Sequence, residues 1–194
     1  MGNIHNIDLQ QIFDRTKITN FVETGTCDGG GVKHALTLPI DKVISIEIEP
    51  TLYQLCCEKF KDENKVQLYC GHSPKILSEI LPLKGKTIWW LDAHFPGVDT
   101  NLLNKTIGST KDVDERCPLE KELRAIHEAG GYEHDYFIID DLRVYEDGPF
   151  ASGNWEERSL YGRDGIDFVY EMYGETHDIK KSYADNGYIL ILPK

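Results

Sequence analysis

The sequence predicts a layered α/β fold built on a largely parallel sheet, and three observations carry that prediction. Short β-rich runs alternate with helical stretches along most of the chain, as successive strand–helix–strand units require. The run from Phe21 to Gly31, Phe-Val-Glu-Thr-Gly-Thr-Cys-Asp-Gly-Gly-Gly, reads as a strand ending in an acidic residue and a glycine-rich turn. The end of the chain breaks the alternation with two strand-like runs joined through Asp185-Asn186-Gly187, the signal of an antiparallel hairpin.

In chain order the first five strands are expected at Asn20–Glu23, Lys42–Glu47, Val66–Tyr69, Thr87–Leu91 and Tyr136–Asp140. His177–Tyr183 and Tyr188–Leu192 complete a seven-stranded sheet, with Asn186-Gly187 expected in a tight turn. Between the strands, apolar residues recur at helical spacing: Leu9, Ile12 and Phe13; Val32, Ala35 and Leu36; Leu52, Leu55, Cys56 and Phe60. Ile76, Leu77 and Ile80, then Leu119, Leu123 and Ile126, then Ile166, Val169, Tyr170 and Tyr173 continue the pattern. These faces are expected to pack on the sheet. Two segments lack periodicity, 95–117 after the fourth strand and 142–163 after the fifth, and each exceeds an ordinary connection. Both follow the carboxyl ends of parallel strands, where open α/β sheets bind ligands. They are expected to cover a substrate; surface insertions are the alternative.

The 194 residues fit a single domain, 1–194, able to bury about 70% of the surface of its unfolded chain. No apolar run nears the roughly 20 residues that span a membrane, and Met1-Gly2-Asn3-Ile4-His5 lacks the features of a signal peptide. A cytoplasmic protein is expected. A formal charge of −12 repels a phosphate backbone and argues against nucleic acid as a partner. Cys27, Cys56, Cys57, Cys70 and Cys117 contain no C-x-x-C pair and are expected to be reduced thiols, mostly buried.

The turn itself bounds the ligand. It runs Gly-x-x-x-Gly-Gly-Gly, whereas a dinucleotide fingerprint needs Gly-x-Gly-x-x-Gly to seat a pyrophosphate on a helix N-terminus. A nicotinamide dinucleotide is disfavoured. Glu47 ends the second strand 18 residues beyond Gly29, close to the roughly 20-residue offset at which an acidic side chain accepts hydrogen bonds from a ribose. A nucleoside without pyrophosphate is implied, with Glu49 a competitor for the role.

Glu23-Thr24-Gly25, Glu47, Gly71-His72-Ser73 after the third strand, Leu91-Asp92-Ala93-His94 after the fourth and the closing hairpin together resemble a class I S-adenosylmethionine-dependent methyltransferase. The resemblance covers nearly the whole chain and implies a doubly wound, Rossmann-like three-layer sandwich. It also implies that Glu23, Gly25, Thr26 and Gly29 hold the methionine part of the cofactor, Glu47 the ribose, His72 and Ser73 the adenine, with Asp92 beside the cofactor. The chain departs from the family pattern in three places. Cys27 replaces the usual middle glycine, His72 replaces an acidic residue, and Gly30-Gly31 extend the turn.

Asp92 at the end of the fourth strand and Asp140 and Asp141 after the fifth form a second constellation. Ends of parallel strands converge on one rim, and three carboxylates gathered there repel unless a cation neutralises them; oxygen-only ligation suits Mg²⁺. The arrangement resembles metal-dependent O-methyltransferases of the catechol and macrolide-sugar types, which implies Mg²⁺ on Asp92, Asp140 and Asp141. The implied reaction is methyl transfer to a hydroxyl of a small molecule or glycan, the metal lowering the hydroxyl pKa. Asp140-Asp141 also suit a helix cap or turn. His94, with an ordinary pKa near operating pH, is a candidate general base beside Asp92, or a histidine bonded to a loop carbonyl.

Trp89 and Trp90 are expected in the core, and His127 and His134 at the surface. Arg143, Tyr145, Trp155, Arg158, Tyr161 and Arg163 could clasp a polar or anionic substrate. A metal-independent methyltransferase using Asp92 and His94, and a non-catalytic nucleoside-binding module, are the alternatives. The sequence leaves a homo-oligomer open.

Overall fold

A computed structural model describes residues 4–94, 113–155 and 165–194. All seven expected strands form: β1 Asn20–Thr24, β2 Lys42–Glu47, β3 Val66–Cys70, β4 Thr87–Leu91, β5 Tyr136–Ile139, β6 His177–Ser182 and β7 Tyr188–Pro193. They make one sheet in the order β3-β2-β1-β4-β5-β7-β6. The first five pair in parallel, and β7 runs antiparallel between β5 and β6. β1, β4 and β5 are buried on both faces, which is why they read as near-continuous apolar runs.

The helices among the described residues are α1 Gln10–Phe13, α2 Gly30–Ala35, α3 Pro50–Lys59, α4 Ser73–Ile80, α5 Val113–Arg116, α6 Leu119–Ala129 and α7 Asp167–Tyr173. Alternation along each strand divides their apolar faces between two cores. Phe21, Val43, Ile88 and Trp90 pack with Val32, Ala35, Cys56 and Phe60 from α2, α3 and the end of α3. Val22, Ile44, Trp89 and Phe137 pack with Leu77, Leu123, Val169 and Tyr173 from α4, α6 and α7. Helices therefore cover both sheet faces, giving the doubly wound three-layer sandwich.

Three local expectations are corrected. Ser182 pairs with Tyr188, so the hairpin closes over a five-residue loop instead of a tight Asn-Gly turn, with Asp185 and Gly187 at positive φ. His127 is half-buried, its ring 4.9 Å from that of Tyr132, whereas His134 is exposed as expected. Of the five free thiols only Cys56 and Cys117 are buried. The long connections carry some structure: α5 lies within 95–117 and a 3₁₀ turn, Leu142–Val144, opens 142–163. Residues 95–112 and 156–164, including Arg158, Tyr161 and Arg163, lie outside the described residues.

Candidate active site

Strand order reverses between β1 and β4, and there the glycine turn and Asp92 meet. A Cβ on Gly25 (φ 84°) would lie 2.7 Å from the Asp92 carbonyl oxygen, so only glycine lets the two strand ends approach. Gly29 (φ 81°) faces the Phe60 ring, which a Cβ would meet at 2.5 Å. Cys27 adopts φ 50°, the left-handed conformation that the usual middle glycine supplies freely. Its N–H donates to Glu47 Oε2 at 2.8 Å. This hydrogen bond helps hold a non-glycine residue in a conformation that costs on the order of 1 kcal/mol.

Glu23 is buried beneath the turn. Ser45 donates to its Oε2 at 2.5 Å, and the Ser45 hydroxyl also meets Thr26 Oγ1 at 2.6 Å. Burial pushes the Glu23 carboxyl up to about 8, with the Ser45 hydrogen bond opposing and Glu47 adding to the rise. Glu47 accepts from Cys27 N–H through Oε2 and from Glu49 N–H through Oε1. It thereby ties the turn after β1 to the segment after β2, while burial raises its pKa. Glu49 caps α3, accepting from Thr51 N–H at 3.3 Å.

After β3, Gly71 N–H donates to the Glu47 carbonyl at 2.8 Å, and His72 leads into α4. The Ser73 hydroxyl donates to Glu122 Oε1 on α6. Glu122 is a residue that sequence reasoning passed over, because it sits among Leu119, Leu123 and Ile126 on a helix face that otherwise reads as core.

The three rim aspartates converge, but with an imidazole among them. His94 Nε2 lies 2.5 Å from Asp141 Oδ2, and Nδ1 lies 3.4 Å from Asp92 Oδ1. Burial alone would lower the His94 pKa; Asp141, Asp92 and Asp140 together drive it up to about 9. Asp141 is held below the usual carboxylate range by His94 and Arg143, against the effect of its own burial. Asp92 is raised well above that range by desolvation and by Asp140. Asp140 is raised to about 6 by burial and Asp141.

Asp140 Oδ1 accepts the Asp141 N–H at 2.8 Å, the turn chemistry that aspartate favours. Asp141 itself sits at φ 52°, ψ 54° and makes no capping hydrogen bond, so its carboxylate is available to His94. Among the described residues Asp140 Oδ2 and Asp141 Oδ1 are buried without a hydrogen bond, although Arg143 Nε comes within 3.7 Å of the latter. Among the described residues, no group of three or more His, Cys, Asp and Glu side chains has the geometry to hold a metal ion. The donor set fits Mg²⁺ only in part: among the described residues Asp140 Oδ2 and Asp141 Oδ1 are buried without a hydrogen bond, but Asp141 Oδ2 is committed to His94. Of the other candidates, Tyr145 is buried in the core and Trp155 packs against it.

No family model matches the chain, and no curated protein does. Several solved structures share this fold, methyltransferases among them. The SAH-bound methyltransferase PaMTH1 of Podospora anserina superposes with a TM-score of 0.60 at 14% identity, over 96% of this chain and 76% of that one. The O-methyltransferase TomG of Streptomyces achromogenes, in complex with SAM, gives 0.53 at 14% identity, over 96% and 78%. A cofactor-bound protein from MTB gives 0.55 at 11% identity, over 96% and 81%.

Proposed function

We propose that the chain is an S-adenosylmethionine-dependent methyltransferase acting on a hydroxyl of a small molecule or glycan. One observation carries the reading: at the strand-order reversal, a turn that only glycine permits at Gly25 abuts Asp92, whose carboxylate heads the His94–Asp141 chain. Methyl donor and acceptor would meet across that seam. The fold, shared with SAM- and SAH-bound methyltransferases, supports the cofactor. The charge of −12 supports an acceptor other than nucleic acid.

In this reading the turn and Glu23 receive the methionine end, Glu47 the ribose and the segment after β3 the adenine. The bound cofactor supplies an electrophilic methyl group. With its pKa near 9, His94 is the cation of the rim at neutral pH and holds Asp92 and Asp141 in place, instead of accepting a proton itself. The Asp92 side chain is 26% exposed, against 9% for His94 and 4% for Asp141. Asp92 is thus the group open to substrate, and its exposed carboxylate is the one placed to take the hydroxyl proton as the oxygen attacks.

Asp140 Oδ2 and Asp141 Oδ1, buried and without a hydrogen bond among the described residues, favour a second reading, in which these carboxylates and Asp92 would hold Mg²⁺ after their side chains shift from the arrangement described. The ion would polarise the acceptor hydroxyl.

Thermal melting separates these readings. S-adenosylhomocysteine at 100 times its dissociation constant stabilises by about 2.7 kcal/mol, and NAD is expected to do nothing. No shift with S-adenosylhomocysteine overturns the proposal. For the metal reading, a Mg²⁺-dependent shift that Asp140→Asn abolishes while sparing the S-adenosylhomocysteine shift is the supporting result; no Mg²⁺ effect on wild type rejects it.

A further inference from the structure

Glu122 lies in the first turns of α6 and is 1% exposed, a depth that acidic residues almost never reach without partners. Packing does not account for it, since an apolar side chain of similar volume would fill the α4–α6 contact without the desolvation cost of a carboxylate. Its neighbours do. Ser73 at the head of α4 donates to Oε1, while the Thr24 hydroxyl at the end of β1, which makes no hydrogen bond among the described residues, and the His94 charge at the end of β4 both act on the carboxylate electrostatically. These three residues come from the three segments that frame the seam between turn and rim. The segment after β3 is therefore held from both sides: Gly71 is bonded to the Glu47 carbonyl, and Ser73 to Glu122.

We infer that Glu122 is a positioning residue for the nucleoside half of the cofactor, anchoring Ser73 and with it Gly71–Ser73 against the end of β1. The inference rests on the methyltransferase reading and assigns the Ser73 hydroxyl as a tether instead of an adenine contact. The carboxylate gains from its place near the helix N-terminus, where the peptide dipoles favour negative charge.

Calorimetric titration of the full chain with S-adenosylhomocysteine and with adenosine tests it, using Ser73→Ala, Glu122→Ala, the double variant and Glu122→Gln. Ser73→Ala and Glu122→Ala are each expected to weaken both ligands about tenfold, as loss of a hydrogen bond to a charged group does. The double variant should be no weaker than Glu122→Ala, because both substitutions cut one link. Glu122→Gln, whose amide oxygen still accepts from Ser73, should stay within about twofold of wild type. Additive losses overturn the inference, as do unchanged affinities accompanied only by a lower melting temperature. If Glu122→Ala fails to fold, Ser73→Ala and Glu122→Gln decide. Wild-type protein that binds neither ligand removes the cofactor reading and the inference with it, whereas wild-type binding that Ser73→Ala leaves intact removes the inference alone.

Discussion

The Glu23 carboxylate occupies the space a side chain on Gly31 would need: a Cβ there would overlap Glu23 Oε1. The neighbouring Gly30 is different, exposed and with its nearest obstacle, Asp28 Oδ1, at 3.4 Å. The last glycine of the turn is thus dictated by the carboxylate beneath it. Gly31→Ala is expected to displace Glu23 from Ser45, lower stability by about 1–3 kcal/mol as overpacking does, and abolish the melting shift with S-adenosylhomocysteine. Gly30→Ala should retain that shift.

Glu23 also makes stability depend on pH. Its folded pKa, about 8, lies above the ordinary 4.5, so between those values the folded chain holds a proton that the unfolded chain has lost. This contribution is fully present below about 4.5 and is lost as pH rises through about 8. Glu122, raised by burial to about 7, acts in the same direction. The melting temperature should therefore fall between pH 6 and pH 8.5, and Glu23→Gln, which cannot ionise, should flatten that fall. A wild-type melting temperature that rises over this interval would contradict the prediction.

Much of this arrangement was legible in the sequence because period-2 and period-3.6 patterns report burial directly. β2 and β4 begin and end where the apolar runs do, and β1, β3 and β5 differ from their runs by one residue at the C-terminal end. Asp92, Asp140 and Asp141 were legible as a group because parallel strands end on one rim. That His94 would stand between them was not, since the placement depends on how the chain turns after β4 and on Asp141 adopting φ 52°. Glu122 is hidden for the opposite reason: helical spacing marks its position as core, and its hydrogen-bond partner, Ser73, lies 49 residues away. The hairpin turn is not legible locally, because Asn186 Oδ1 accepts from the Ser152 hydroxyl at 2.8 Å, an interaction beyond any local turn rule.

The His94–Asp141 pair can be titrated without knowing the acceptor. The folded His94 pKa, about 9, exceeds the ordinary 6.5, so the His94 contribution is complete below about 6.5 and is lost as pH rises through about 9, whereas that of Asp141, held below its ordinary 3.8, is lost as pH falls into the acid range. Asp141→Asn removes the largest influence holding the imidazole protonated. Its NMR titration midpoint should move down towards 6.5 or below. The variant should be about 3 kcal/mol less stable than wild type at pH 6, where the pair is fully charged, with the gap narrowing by pH 10. An unchanged midpoint would mean that Asp92 and Asp140 sustain the shift without Asp141.

Asp135 offers a control at the other end of the sheet. It precedes β5 and accepts two hydrogen bonds from β4, from Thr87 N–H at 2.8 Å and from Trp89 Nε1–H at 2.9 Å. Burial raises its carboxyl to about 6. It therefore locks the amino ends of two strands whose carboxyl ends carry Asp92 and Asp140. Asp135→Ala would leave two buried donors without a partner, at about 1–3 kcal/mol each, whereas Asp135→Asn keeps one acceptor and should cost less. Because this lock lies at the strand ends remote from the glycine turn, the folded variants should bind S-adenosylhomocysteine as wild type does. A melting temperature lowered with affinity intact is the expected result; a matching loss of affinity would place the energetic link between sheet and cofactor site along β4 itself.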